Sequence, residues 1–211
     1  MKNKILILGF PHSGTTILRK VLGKHSDVVA IAAESQRAPV AKHGKRFTCI
    51  KWPHCEDRFF SPAYDDYYKI FIIRNPLFCF SSLQRRGQSL TKKHSCDSWE
   101  RTANRFLKME NREDTFCLKY EEVFENNFQK LRDIFTFVGL PFEDQVLETK
   151  EGSSKGPPPP RSHYSFRMWQ INQPFENNNK PEKITIDKAT RTRLENMSVF
   201  GKLYGEGGQS S

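Results

Sequence analysis

Residues 9–16 read Gly-Phe-Pro-His-Ser-Gly-Thr-Thr, with a short apolar run before them and an amphipathic stretch after them. That order describes a turn from a strand into a helix. The first amides of a helix have no intrahelical acceptor and point, with the helix dipole, toward one spot. An anionic phosphate placed there is stabilised by both. Gly14 allows close backbone approach, Ser13, Thr15 and Thr16 add hydroxyl donors, and Pro11 and His12 form the entry. The spacing matches the first part of the triphosphate loop G-x-x-x-x-G-K-[ST], but Thr15 stands where the lysine belongs. A nucleoside triphosphatase lacking that lysine loses its main contact to the outer phosphates. The loop therefore predicts a bound nucleotide with some other chemistry at its far end.

A second constellation is Lys69-Ile-Phe-Ile-Ile-Arg-Asn-Pro76, continuing to Ser81-Ser82. A guanidinium at the end of a strand and a hydroxyl one or two helical turns later can converge on one phosphate. With Pro-x-Ser-Gly-Thr-Thr after the first strand, this resembles the sulfotransferases that use 3′-phosphoadenosine 5′-phosphosulfate. The resemblance implies that Pro11, His12, Ser13, Gly14, Thr15 and Thr16 surround the 5′-phosphosulfate, while Arg74 and Ser82 hold the 3′-phosphate. His12 is a departure, because a Lys or Arg usually follows the loop proline in that family. An imidazole, with an ordinary pKa of about 6.5, carries a variable charge where those residues carry a fixed one. Leu118-Lys-Tyr-Glu-Glu122 is similar to the family's Tyr-Glu-Asp segment, which implies that Tyr120 flanks the adenine.

Two more segments resemble the tyrosylprotein sulfotransferases and related enzymes acting on large acceptors. His25–Glu34 looks like a segment ending in the catalytic base, with a one-residue shift, which implies that role for Glu34. Cys49-Ile-Lys-Trp-Pro53 looks like the family's lysine-before-proline element, implying that Lys51 touches the transferring sulfuryl group. The implied catalytic set is Glu34, Lys51 and His12, acting on a hydroxyl of a carbohydrate or a peptide tyrosine, with no metal required. The family closes the 3′-phosphate site with C-terminal residues; Lys155, Arg161, Ser165, Arg167 and Trp169 are the candidates, though Tyr164, Phe166 and Trp169 could equally clasp the core.

These residues need a scaffold, and the hydrophobic pattern supplies one. Lys4–Gly9, Val28–Ala32, Phe47–Ile50, Ile70–Ile73 and Thr115–Leu118 are short apolar runs of strand type. Ile17, Leu18, Val21 and Leu22 share one helical face, as do Trp99, Ala103, Phe106 and Glu110. Phe124, Phe128, Leu131, Phe135 and Val138 predict a long amphipathic helix stopped at Gly139-Leu140-Pro141. A last helix is expected over about 187–203. Strands alternating with helices predict an α/β, P-loop-type three-layer sandwich with a mostly parallel central sheet. The 211 residues suit a single domain, with 150–183 as a lid or wrapping segment rich in Pro, Asn and Lys, and 205–211 as a loose tail.

Lys and Arg total 34 against 24 Asp and Glu, an excess of ten positive charges that favours anionic partners without choosing among nucleotides, nucleic acid, sulfated or acidic glycans and an anionic membrane surface. No run approaches the roughly 20 apolar residues of a membrane span. Cys49, Cys55, Cys79, Cys96 and Cys117 are odd in number and scattered, which suggests reduced thiols in a cytoplasmic compartment. Three other readings compete. A P-loop kinase or nucleotidase lacks both its lysine and an acidic strand end for magnesium, since Asp65-Asp66 precede an apolar run. A non-catalytic polyanion-binding module accounts for the charge but not for the motifs. A metal site from Cys49, His54, Cys55, His94 and Cys96 fits no standard zinc spacing.

Overall fold

The structure, a computed structural model of the chain, describes residues 2–39, 44–85, 94–148 and 175–205. In β1 (Lys4–Gly9), Ile5, Leu6, Ile7 and Leu8 are each 0% exposed, so both faces of this strand are covered. Around it stand β2 (Val28–Glu34), β3 (Phe47–Trp52), β4 (Tyr67–Ile73) and β5 (Thr115–Lys119). Among the described residues they form one five-stranded sheet in the order β2-β3-β1-β4-β5, with every pairing parallel. The helices are α1 (Thr15–Leu22), α2 (Pro76–Arg85), α3 (Cys96–Met109), α4 (Gln129–Val138), α5 (Lys188–Glu195) and α6 (Ser198–Tyr204).

Alternation along β1 sorts them into two layers. Ile5 and Ile7 pack with Leu18, Val21 and Leu22 of α1 and with Leu131, Ile134 and Phe135 of α4. Leu6 and Leu8 face the other way, toward Phe80 of α2, Trp99 and Phe106 of α3, and Leu194 and Leu203 of α5 and α6. The three-layer α/β architecture expected from the strand–helix alternation is the one found. The helices after the adjacent strands β1 and β4 thus leave for opposite faces, which opens a crevice at the carboxyl ends of those strands.

Two predicted helices are interrupted. The stripe from Phe124 to Val138 is continuous as a pattern, yet 3₁₀ turns occupy Glu121–Phe124 and Asn126–Phe128, and α4 begins only at Gln129. Asn126, Asn127 and Phe128 have positive φ (46°, 54° and 62°), a left-handed conformation that asparagine tolerates and a continuous helix forbids. The last helix breaks at Asn196-Met197, where Met197 is extended. Its start agrees with the pattern, because Asp187 accepts the Thr190 amide as N-cap at 2.8 Å.

The fold also buries a charge. Lys69 of β4 is 0% exposed, and its Nζ donates to Asp114 at 2.5 Å. Hydrogen bonding from Arg112, then from Lys69, holds the Asp114 carboxyl well below the usual range. Removing one partner of such a pair strands the other charge in a dry site. Asp114→Ala should therefore cost about 3–5 kcal/mol in a urea-unfolding measurement, whereas a loss under 1 kcal/mol would show that Lys69 finds water.

Candidate active site

Close backbone packing sets the shape of the loop after β1. A Cβ added at Gly9 would lie 2.5 Å from Ser13 Oγ and 2.6 Å from the Ile72 carbonyl oxygen. Gly14 has φ +104°, and a Cβ there would lie 2.5 Å from the Tyr120 ring. Between them His12 adopts φ 68°, a conformation uncommon for a residue with a side chain. The Ser13 amide donates to the Phe10 carbonyl at 3.0 Å, closing the turn. That commits the Ser13 amide to the turn, while Gly14, Thr15 and Thr16 lie at the start of α1, where amides have no intrahelical acceptor. Ser13 is fully buried and its hydroxyl has no hydrogen-bond partner, an orphaned group that an anionic ligand at this helix start would satisfy.

The Arg-Asn-Pro segment lies beside this loop because Gly9 is level with Ile72 in the parallel register, two residues before Arg74. Asn75 caps α2, its Oδ1 accepting the Leu77 amide at 3.0 Å, and Pro76 takes the first helical position, where no amide is needed. Arg74 is 8% exposed. Its Nη1 donates to the His12 carbonyl at 3.2 Å, and its guanidinium stacks 4.3 Å over the Tyr120 ring. His12 Nδ1 and Ser82 Oγ are 3.0 Å apart. His12, Gly14, Arg74, Ser82 and Tyr120, scattered in the sequence, therefore share one corner. More cations crowd it. Burial, then the charge of Arg74, lowers the pKa of Arg85, while burial, then Lys180 and Arg85, lowers that of Lys183. Burial and neighbouring positive charge both disfavour the charged forms of these side chains.

Glu34 and Lys51 meet across β2 and β3. The chain advances four positions along β2, from Ala30 to Glu34, against two along β3, from Cys49 to Lys51, and this register shift sets Glu34 opposite Lys51. The Lys51 ammonium, 2% exposed, donates to Glu34 Oε1 at 2.7 Å, while the Glu34 side chain is 38% exposed. A buried ammonium and a carboxylate open to solvent thus stand at the carboxyl end of the strand next to β1. On the opposite side of β3, Trp52 and Pro11 line a cavity of about 300 Å³.

Sequence reasoning missed the residues that fasten the Arg74 corner. Asn179 Oδ1 accepts from Arg74 Nε at 2.7 Å, and Asn179 Nδ2 donates to Glu121 Oε1 at 2.5 Å. Glu121 Oε1 also accepts the Asn75 amide at 3.1 Å. Asn177-Asn178-Asn179 reads in sequence only as a polar loop, with no signal linking it to an arginine a hundred residues earlier. Lys155, Arg161, Tyr164, Ser165, Phe166, Arg167 and Trp169 lie outside the described residues, as do 206–211. Among the described residues no three His, Cys, Asp or Glu side chains gather as a metal site, and no helix is long and apolar enough to cross a membrane. Of the candidate ligands, His54 and His94 do approach, with ring centroids 6.2 Å apart.

Comparison with known proteins puts a class to this geometry. Residues 70–189, more than half of the chain, match the family model described as the sulfotransferase domain. The chain belongs to that family. It is a sulfotransferase, moving a sulfuryl group from 3′-phosphoadenosine 5′-phosphosulfate, and this decides against the kinase and simple polyanion-binding readings. Among solved structures it is similar to mouse sulfotransferase SULT7A1 complexed with PAP, at 15% identity over 100% of this chain and 90% of that one, with a TM-score of 0.60. It is also similar to the sulfotransferase domain from the curacin biosynthetic pathway, at 14% identity over 92% and 96%, with a TM-score of 0.56. The sulfotransferase from Alicyclobacillus acidocaldarius aligns at 15% identity over 72% and 87%, with a TM-score of 0.51. No curated protein sequence matches the chain.

Glu121 gives this corner a pH signature. Burial raises the pKa of its carboxyl, against smaller opposing hydrogen bonds and the Arg74 charge. The stability that a raised carboxyl contributes is complete below the ordinary carboxylate pKa of about 4.3 and is lost as pH climbs through the raised value. Glu121→Gln keeps an acceptor for Asn75 and Asn179 and removes the titration. Its melting temperature relative to wild type should therefore rise steadily from acid to neutral pH. A constant offset across that range would show that Glu121 titrates normally.

Proposed function

We propose that the chain transfers the sulfuryl group to a hydroxyl of a carbohydrate or peptide acceptor, with Glu34 as base and Lys51 as electrostatic catalyst. The observation that carries this reading is their 2.7 Å ion pair at the strand ends beside the phosphate loop. The amides of Gly14, Thr15 and Thr16, with the Ser13 hydroxyl, would hold the 5′-phosphate, and Pro11 would shape the loop. Arg74 and Ser82 would hold the 3′-phosphate, and Tyr120, stacked on Arg74, would border the nucleoside. His12, within hydrogen-bonding distance of Ser82, would link the two phosphate sites and add charge when protonated.

The donor supplies a sulfur that accepts the acceptor oxygen while its bond to the bridging phosphate oxygen breaks, and 3′,5′-diphosphoadenosine leaves with that electron pair. Glu34 takes the acceptor proton and later returns it to solvent, a role worth about 10²–10⁴-fold in rate. Lys51 offsets negative charge on the sulfuryl oxygens and on the leaving oxygen. The ion pair couples the two roles. As Glu34 gains a proton it loses its hold on the ammonium, so the positive charge of Lys51 becomes available as negative charge grows on the leaving group. These roles leave no step to a metal.

The cysteine environments support a reducing, cytoplasmic setting. All five cysteines are free, and burial pushes the Cys49, Cys79 and Cys117 thiols up to about 12.

Glu34→Gln, which keeps a hydrogen-bond acceptor for Lys51, should lower kcat by about 10²–10⁴-fold, while 3′,5′-diphosphoadenosine still raises the melting temperature as in wild type. A kcat within threefold of wild type would remove Glu34 as the base.

A further inference from the structure

The cavity beside Trp52 lies between β3 and α3, on the sheet face opposite α1. One wall continues the reacting elements, since Pro11 belongs to the phosphate loop and Trp52 follows Lys51 directly in the chain. The other wall is one face of α3, where Ser98, Arg101, Thr102 and Arg105 recur at helical spacing. Its volume of about 300 Å³ suits one substituted ring, at the lower end of small-molecule sites.

The charges on these walls are not equivalent. Arg105 is a brace, donating through Nε to Asp57 at 2.6 Å and through Nη1 to the Cys55 carbonyl at 2.7 Å, which fixes the turn after β3 against α3. Glu56 is paired with Arg58 at 3.0 Å. Arg101, one helical turn from Arg105 and exposed, makes no ion pair among the described residues. His54 adds a second polar ring, set edge-on to Trp52 with centroids 6.0 Å apart. The cavity therefore offers a flat aromatic wall, several hydroxyl and ring-nitrogen groups, and one cation without a carboxylate.

We infer that this cavity receives the acceptor and selects one ring of an acidic sugar, a hexuronate or similar polyhydroxylated ring, through Arg101. The inference rests on the sulfuryl-transfer reading and names the class of acceptor. A sugar presents an apolar face to Trp52 and several hydroxyls to Ser98 and His54. A tyrosine ring carries one polar atom and would answer neither the Ser98 hydroxyl nor the Arg101 charge on the α3 wall. The carboxylate answers the charge of Arg101, in a site where the donor's own negative charge would otherwise repel an anionic acceptor.

The test uses the full chain with sulfur-labelled 3′-phosphoadenosine 5′-phosphosulfate and three acceptors: glucuronate, glucose and an acidic tyrosine peptide. Glucuronate should exceed glucose in kcat/KM by about tenfold or more, the effect of one charge-assisted contact. In Arg101→Gln that ratio should fall to within about twofold of unity, while 3′,5′-diphosphoadenosine raises the melting temperature as much as in wild type, which shows the variant folded with its donor site intact. The inference is overturned if wild type uses both sugars equally, if the ratio survives Arg101→Gln, or if the peptide is the only acceptor. It is also overturned if neither sugar is sulfated although diphosphoadenosine binds. If diphosphoadenosine produces no shift in wild type, the donor reading itself fails first, a separate and recognisable result.

Discussion

The site depends on adjacent parallel strands whose helices leave for opposite faces of the sheet. α1 leaves β1 toward one layer and α2 leaves β4 toward the other, so the two connections diverge and open a crevice at the strand ends. Backbone amides at the start of α1 point into it. Arg74, carried two residues beyond the register partner of Gly9, reaches across it to the His12 carbonyl. Sheet twist and strand order create this space before any functional side chain is considered, and the glycines at 9 and 14 let neighbouring groups close in around it.

Positive charge is concentrated there under control. Three of the buried cations among the described residues are each managed differently. Lys69 is neutralised by Asp114 and serves the fold. Lys51 is held by Glu34, an ion pair that protonation of the carboxylate loosens. Arg74 is restrained by neutral groups, namely a carbonyl, an amide oxygen and an aromatic face. A carboxylate in direct contact would compete with a phosphate, whereas these weaker partners keep the guanidinium oriented and leave its charge uncancelled. Glu121 stays one residue removed, acting on Asn75 and Asn179 instead of on the arginine.

The phosphate loop belongs to the crevice, while the cavity along α3 sits on the other face of β3, with Trp52 turned toward it and Lys51 turned toward the α1 layer. Alternation of side chains along a strand places successive residues on opposite faces. Lys51 and Trp52 thus reach different layers from adjacent positions near the strand end. The Arg105–Asp57 brace holds the acceptor wall in place without drawing on Arg101.

The local sequence determined what depends on neighbours in the chain: the buried strands, the glycine-bearing turn into α1, the Arg-Asn-Pro strand end with its helix cap, and the α/β layering that follows from their alternation. It also named Glu34, Lys51, Arg74, Ser82 and Tyr120. Only the tertiary structure decided that Glu34 meets Lys51, and that Arg74 meets Tyr120 and the loop of His12. The Glu34–Lys51 pair requires a two-residue register shift that no pattern in β2 announces. The break at Asn126–Phe128 overrides a perfect apolar periodicity, because periodicity records which side chains are buried and not the dihedral angles between them. Asn179 and Arg101 were invisible for a related reason. A polar residue acquires meaning from the group it faces, and that group is chosen by packing across the sheet, not by distance along the chain.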